Sequence, residues 1–529
     1  MPPRRAAGSA VIALLLAAPA AGQAPREPIV YTLRVTDAAS HLLDVEARVP
    51  SGGQPALELR MARWSPGFYR VEDYAAKLQA LSARVSDGGA PLAIERTRAN
   101  RWRVQTRGAP SVVVSYRLIC DQRSVTTNWV SSDLGVVNGA ATFLTLVEAG
   151  QRPHEVRLVR PATWKRALTA LPPARASEAD HYRAPDFDTL VDSPILAGEL
   201  QVHEFVVDGS RHLLVDAGAP AAWDARRAAA DLERFVGAVR SFWGFLPFER
   251  YLFLNVFRQG GGGLEHKDST LLTANAERVV TPEGYRRWLS FAGHEYFHAF
   301  NVKRLRPVEL GPFDYESEPR TTSLWLSEGV SSYYSELLLA RGGLRSADEF
   351  LASLSAQIEA LQKQPGRLLQ TLEQSSFDVW SNSLSGIRPN EQTVSYYVKG
   401  QVVGFLLDAR IRSASSGAKS LDDFMRVAYR RHAGERGFTA DELRAAATDV
   451  AGRDLTQFFR KALASTDELD YAEALDWFGL RFAAPREGSP EAARYSLAVR
   501  SDATAEQRGN LQALLPQSPL PSRSPGPGR

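Results

Sequence analysis

The 529-residue chain has a single cysteine, Cys120. No disulfide can form within it, and a zinc–thiolate cluster is excluded. An excess of either charge is lacking too. Sixty-three Lys and Arg against 60 Asp and Glu leave a net charge of +3, so nothing argues for nucleic-acid binding. Beyond the first two dozen residues there is no apolar run long enough to span a bilayer. No internal repeat is visible. What is present, 44% apolar and 23% charged residues, is ordinary for a packed soluble protein. The length suggests roughly two to four domains.

The first residues read as a targeting segment. Arg4 and Arg5 make a positive start, 10–18 an apolar stretch, and Ala20-Ala21-Gly22-Gln23-Ala24 offers small-residue cleavage sites. A signal peptide over 1–24 predicts a bacterial periplasmic or secreted protein, with no stable membrane insertion after cleavage. An uncleaved anchor is the alternative.

From 28 to 209 the chain reads as β structure. Runs at 29–35, 42–49, 56–61 and 111–119 alternate apolar with polar residues between turn residues, which suggests a β-sandwich-like domain. The pattern turns helical over 221–242. A buried strand is expected at 251–257, then an edge strand with a glycine-rich approach at 260–273. Further on helices dominate. Those at 421–432, 439–450 and 455–463 predict a helical C-terminal domain.

Against this background one stretch carries chemistry. His294-Glu295-Tyr296-Phe297-His298 reads H-E-x-x-H, the signature of a zinc peptidase helix. Residues four apart share a helix face, so both imidazoles can reach one metal ion. Glu295 stands beside them, placed to take a proton from water. Thr281-Pro282-Glu283 is a helix start, with an N-cap hydroxyl, proline at N1 and an acid in the first turn. Apolar residues then recur at helical spacing from Tyr285 to Phe300, which predicts both histidines in mid-helix, with Pro307 as the latest possible end.

A catalytic zinc site takes a third protein ligand. Glu309, Asp314, Glu316, Glu318 and Glu328 follow the motif. Glu318 sits in a polar stretch ending in proline, hence in loop. Glu328 lies in Leu324-Trp325-Leu326-Ser327-Glu328-Gly329, which reads as a buried helix where a carboxylate needs a partner. Glu328 is favoured, with Glu318 as its rival.

The stretches HEYFHAFNVKRLRP (294–307) and TTSLWLSEGVSSYY (321–334) together resemble the glycyl aminopeptidase family of gluzincin metallopeptidases. Trp64-Ser65-Pro66-Gly67-Phe68-Tyr69, Gly262-Gly263-Leu264-Glu265-His266, 375–380 and Ser395-Tyr396-Tyr397-Val398-Lys399-Gly400 agree with it. The likeness runs from about 29 to about 482. It departs from the family pattern at Ala299-Phe300, and the C-terminal PDZ domain common in the family is not legible. The resemblance implies a multidomain α+β fold with a thermolysin-like α/β catalytic domain built on the motif helix. The domain boundaries so read are 28–209, 210–400 and 401–482, with 483–529 as a disordered Pro/Ser/Arg-rich tail.

The resemblance also implies an activity: a zinc-dependent aminopeptidase, one zinc per chain, cutting small N-terminal residues from peptides with a free N-terminus. His294, His298 and Glu328 would hold the metal, and Glu295 would act as general base. Tyr397, with Tyr396 as rival, would stabilise the oxyanion. Glu265 would bind the substrate ammonium, and Gly262 and Gly263 would let its backbone approach. His266 is open between substrate contact and structure. His41, His154, His181, His203, His212 and His432 have no ligand spacing and read as structural. A zinc endopeptidase and a non-catalytic binding or scaffold protein are the alternatives. Nothing in the sequence fixes an oligomeric state.

Overall fold

The structure, a computed structural model, describes residues 26–86, 88–148, 151–381, 386–483 and 495–515. The 1–24 segment and the proline-rich end, 516–529, lie outside the described residues.

Alternation in the sequence becomes a one-sided sheet. In strand Ile29–Asp37, Ile29, Tyr31 and Leu33 are buried while Val30 and Thr32 are only partly covered. This strand sits third in a seven-stranded sheet, parallel to His154–Val159 and antiparallel to Leu42–Pro50, which pairs in turn with Ser111–Ile119. A four-stranded sheet containing Ala56–Arg60 and Arg101–Gln105 shares its core, where Leu57, Leu59, Trp102 and Val104 join Tyr31 and Val45. The N-terminal part is therefore β-rich.

A further sheet, of five strands, packs against the H-E-x-x-H helix. Its order is Leu200–Val207, Ser210–Ala217, Arg250–Arg258, Ser269–Asn275, Gly262–Glu265. The middle strands are parallel and buried on both faces. Leu252 and Leu254 meet Val136 and Leu196 of the N-terminal part. Tyr251 and Phe253 meet the helices. Residues 260–273, expected as one edge strand, form a hairpin instead. Gly262–Glu265 is the edge, antiparallel to Ser269–Asn275.

Three expected boundaries are corrected. The boundary at 209/210 cuts a hairpin, because Leu200–Val207 pairs along its length with Ser210–Ala217. Asp208-Gly209, both with positive φ, is its tight turn. The five-stranded sheet thus begins at Leu200. The boundary at 400/401 falls inside helix Tyr396–Ala414, which is buried for most of its length. The tail from 483 is partly folded. Strand Leu497–Val499 pairs with Leu480–Phe482, and helix Ala505–Leu514, capped by Thr504, ends on fully buried Leu514.

The C-terminal helices are Leu421–His432, Ala440–Ala451 and Thr456–Leu463, and they join the main helical core through Phe424, Leu443 and Phe459. The fold is multidomain α+β with a helical C-terminal region. Among the described residues no helix is long and apolar enough to cross a membrane.

Candidate active site

The motif helix is Pro282–Phe297. The Thr281 hydroxyl accepts from the Gly284 amide at 3.0 Å, and Pro282 occupies the first turn. Its end corrects the mid-helix expectation: His294 is in the last turn and His298 is the C-cap. The apolar residues Ala299 and Phe300 continue the helical pattern but pack into the core beyond the helix. Ending there lets the chain turn so that the Asn301 carbonyl reaches His298 Nδ1 at 2.9 Å. Ser332 Oγ lies 3.3 Å from His294 Nδ1. With each Nδ1 engaged, both Nε2 atoms are free to face one point.

Glu328 faces the same point. Its segment, Trp325–Val330, is wound as a π-helix and runs on into helix Ser331–Arg341; single π turns recur at functional sites. The two Nε2 atoms are 2.9 Å apart, and Glu328 Oε2 is 3.3 and 3.1 Å from them. Ligand atoms about 2.0–2.2 Å from a tetrahedral zinc lie roughly 3.3–3.6 Å apart; the three donors converge on one point and stand slightly closer together than that, so an ion between them needs them to spread by only a few tenths of an ångström.

Electrostatics point the same way. Glu265, Glu295 and Glu328 are all buried. Burial raises the Glu328 carboxyl, but His298 and hydrogen bonds from both imidazoles outweigh it and hold it down at about 2. Burial lifts Glu265 to about 7, with His298 and Lys303 pulling the other way. Glu295 is held well above the usual carboxylate range, by burial first and then by Glu265 and Glu328, against the pull of His298. Burial depresses His298, yet the three carboxylates reverse this and push it up to about 10. The cluster thus demands positive charge. A dication meets that demand and leaves both imidazoles neutral, as ligands must be.

Glu316, Glu318 and Asp314 are engaged elsewhere. Glu316 accepts from Asn100 at 2.8 Å and from Arg101 Nε at 2.7 Å, tying the 314–318 loop to the N-terminal sheets. Glu318 pairs with Arg320 at 3.1 Å. Asp314 accepts from the Glu316 amide and the Ser317 hydroxyl.

Above the motif helix runs the edge strand Gly262–Glu265. A Cβ at Gly263 would stand 2.5 Å from Glu295 Oε1, so glycine there brings the strand against the proposed base. Glu295 Oε2 and Glu265 Oε1 are buried with no hydrogen-bond partner among the described residues. Glu265, Glu295 and His298 place ligand-type atoms within 4.8 Å of one another. Of the two tyrosines, Tyr397 lines the cleft, its ring 6.1 Å from that of His294. Tyr396 is buried behind it, facing Gly386. The two rings stack on each other, 4.9 Å between centroids, with Tyr397 on the cleft side. His266 is buried against Asp192, which also binds Lys303 at 2.6 Å. It is absent from the cleft lining, so its place is structural.

Sequence reasoning gave no role to the Trp64–Tyr69 stretch beyond likeness. In the fold it reaches the site. Gly67 and Phe68 line a cleft of about 920 Å3 with His294, Glu295, Glu328 and Tyr397. Gly67, at φ +94, lies so close to Glu265 that any Cβ would meet its carboxylate. The Tyr69 phenol is held un-ionised by burial and by nearby Glu328 and Glu265. A glycine beside two aromatics in a β-rich domain was the available signal, but not its destination.

Two further glycines fix the site's geometry. A Cβ on Gly329 would collide with the backbone of Gly400, so the π turn and helix Tyr396–Ala414 cross in direct backbone contact. Gly329→Ala should force them apart, moving both Glu328 and Tyr397. Overpacking of this kind costs about 1–3 kcal/mol or more. We expect a lower unfolding midpoint together with weaker metal binding; an unchanged midpoint and metal content would show that the crossing can give.

Residues 30–199 match the Peptidase M61 N-terminal domain, and residues 287–403 match the M61 glycyl aminopeptidase. Among solved structures the chain is similar to an aminopeptidase N family protein from Idiomarina loihiensis, at 28% identity and a TM-score of 0.81, over 85% of this chain and 78% of that one. It shares a fold with an M1 zinc metallopeptidase from Deinococcus radiodurans bound to a Tyr-Ser-Ala substrate, at 15% identity and a TM-score of 0.51, over 84% of this chain and 95% of that one. Among curated proteins none matches.

Proposed function

The chain belongs to the M61 glycyl aminopeptidase family and is a metallopeptidase, and from that premise we propose that it is a zinc-dependent aminopeptidase releasing small N-terminal residues, glycine and alanine first, from peptides. One observation carries the aminopeptidase reading: a buried carboxylate oxygen of Glu265, unpartnered among the described residues, lies beside the histidine–glutamate cluster on the strand that substrate must approach. A free ammonium group is the natural partner of such an oxygen. The preference for small residues is supported by family membership. The motif helix beneath an antiparallel edge strand supports a thermolysin-like catalytic domain, and residues 1–24 support export to the periplasm or beyond.

His294, His298 and Glu328 would hold one zinc ion, which when bound supplies Lewis acidity to the scissile carbonyl and to the attacking water. The chain's own groups do the rest. A peptide can pair along Gly262–Glu265 as an added strand, since the glycines leave its backbone room. Glu265 holds the α-ammonium and so sets the bond to be cut one residue in. Glu295 takes the proton from water and returns it to the leaving amine. The Tyr397 hydroxyl donates to the carbonyl oxygen as negative charge develops there.

Glycyl and alanyl chromogenic amides, with and without a chelator, test this reading. Glu265→Ala should lower kcat/KM on them by roughly ten- to a hundredfold, because a hydrogen bond to a charged group contributes about 1.5–3 kcal/mol. Zinc content should not change. N-acetylated substrates should be poor for wild type and little affected by the substitution. If wild type cut acetylated and free peptides equally, and Glu265→Ala slowed both alike, the enzyme would be an endopeptidase.

A further inference from the structure

The cleft does not end at the glycine-rich approach to the edge strand. A second cavity of about 370 Å3 adjoins it, and Ser124 and Arg258 line both. Arg258 is the last residue of strand Arg250–Arg258 and is half-buried. Its guanidinium reaches the Gln259 carbonyl at 3.3 Å and Thr273 Oγ1 at 3.5 Å. No carboxylate among the described residues pairs with it. The charge that bears on it is another cation: burial first, then Arg123, lower its pKa. Arg123 is exposed, lies 3.9 Å over the Trp129 ring, and also has no carboxylate partner among the described residues.

The other arginines of the cleft are neutralised. Arg287 pairs with Glu283 and Arg345 with Glu336, both at 2.6 Å. Asp133, Glu199 and Asp216 line the second cavity without pairing with Arg123 or Arg258. Asp216 accepts from Asn255 and Trp223, and Asp133 from Ser131. Neither arginine is ion-paired among the described residues, and a planar carboxylate entering between them would meet guanidinium donors that no side-chain carboxylate occupies.

Their position along the edge strand says which anion. Gly260 sits beside Arg258, where a Cβ would lie 3.8 Å from Nη1, and Gly263 sits beside Glu295. Glu265 is two residues further on, at the ammonium end. At about 3.3 Å per residue, the span from Glu265 back to Gly260 is at most roughly 16 Å. An extended peptide of up to about five residues covers that distance. A substrate anchored by its ammonium at Glu265 therefore runs antiparallel to the strand, past the scissile bond, toward the two arginines.

We infer that Arg258 and Arg123 receive a carboxylate lying beyond the scissile bond, that of the free C-terminus, so that the substrates are short peptides of about three to five residues. This rests on the aminopeptidase reading and deepens it. The test is a series of glycine-headed peptides, two to eight residues long, each as free acid and as C-terminal amide, with wild type, Arg258→Gln, Arg258→Lys and Arg123→Gln. The measure is the ratio of kcat/KM for acid over amide, which cancels differences in enzyme quality. In wild type it should reach about tenfold at three to five residues and fall at greater length. It should collapse toward one in Arg258→Gln, shrink in Arg123→Gln and persist in part in Arg258→Lys. An amidated peptide with aspartate at its last position that regains the rate would support the same carboxylate recognition from a side chain. A ratio near one at every length in wild type, or a preference untouched by both glutamine substitutions, overturns the inference. If amides and acids are cut equally well, only the arginine assignment fails; if no glycine-headed peptide is cut at all, the aminopeptidase reading fails with it.

Discussion

Glu295→Gln should leave zinc bound and reduce turnover by about 10²–10⁴-fold, the range that general acid–base catalysis contributes. The two halves of this expectation come from separate observations. Metal retention follows because the converging donors are His294 Nε2, His298 Nε2 and Glu328 Oε2, and Glu295 adds no atom to that triangle. Loss of turnover follows because an amide cannot take the proton that the carboxylate takes, while its size and shape are kept. The substitution is also mild for the fold. Glu295 is buried, and the amide matches it in size and shape, so the substitution should cost little stability. Metal analysis, thermal unfolding and kcat on a glycyl amide check the three statements together. Near-wild-type turnover with full zinc would remove Glu295 from the mechanism.

Much of this site was legible in the sequence because much of it is local. The motif helix announces its start through Thr281 and Pro282, and the same cap appears in the fold. The three C-terminal helices lie within a residue or two of where the sequence reading puts them. Local rules failed at ends and turns. Ala299 and Phe300 extend the helical pattern although the helix has stopped, since core packing alone would bury them equally well. The boundary read at 209/210 fell on Asp208-Gly209, which is a hairpin turn, because tight turns and domain boundaries draw on the same residues. What could not be read at all is what the fold brings from far away. Gly67 belongs to the N-terminal β-rich part yet abuts Glu265. Gly329 and Gly400 make a backbone crossing that no periodicity encodes. Arg258 ends a buried strand and gains significance only from its lack of an ion pair among the described residues and from the cavity behind it.

Glu328→Ala should lose zinc, and with it activity, to the same extent as exhaustive chelation of wild type. Glu328 is the sole carboxylate whose oxygen stands within 3.3 Å of both imidazole nitrogens among the described residues. Removing it leaves two ligands where a catalytic zinc site uses three. Loss of a mere supporting hydrogen bond weakens metal binding about 10–100-fold, and loss of a direct ligand should exceed that. Glu318→Ala is the matched control. Glu318 is a surface partner of Arg320, and an exposed pair of this kind contributes about 0–1 kcal/mol, so its variant should keep both zinc and rate. Glu328 also carries the buried charge that the two histidines face, so its loss should lower stability in the metal-free state. Measuring the unfolding midpoint with and without zinc separates the effects: wild type should rise on adding zinc, Glu318→Ala should rise as much, and Glu328→Ala should barely move. Normal zinc affinity in Glu328→Ala would overturn the ligand assignment, and full activity in metal-free wild type would overturn the metal itself.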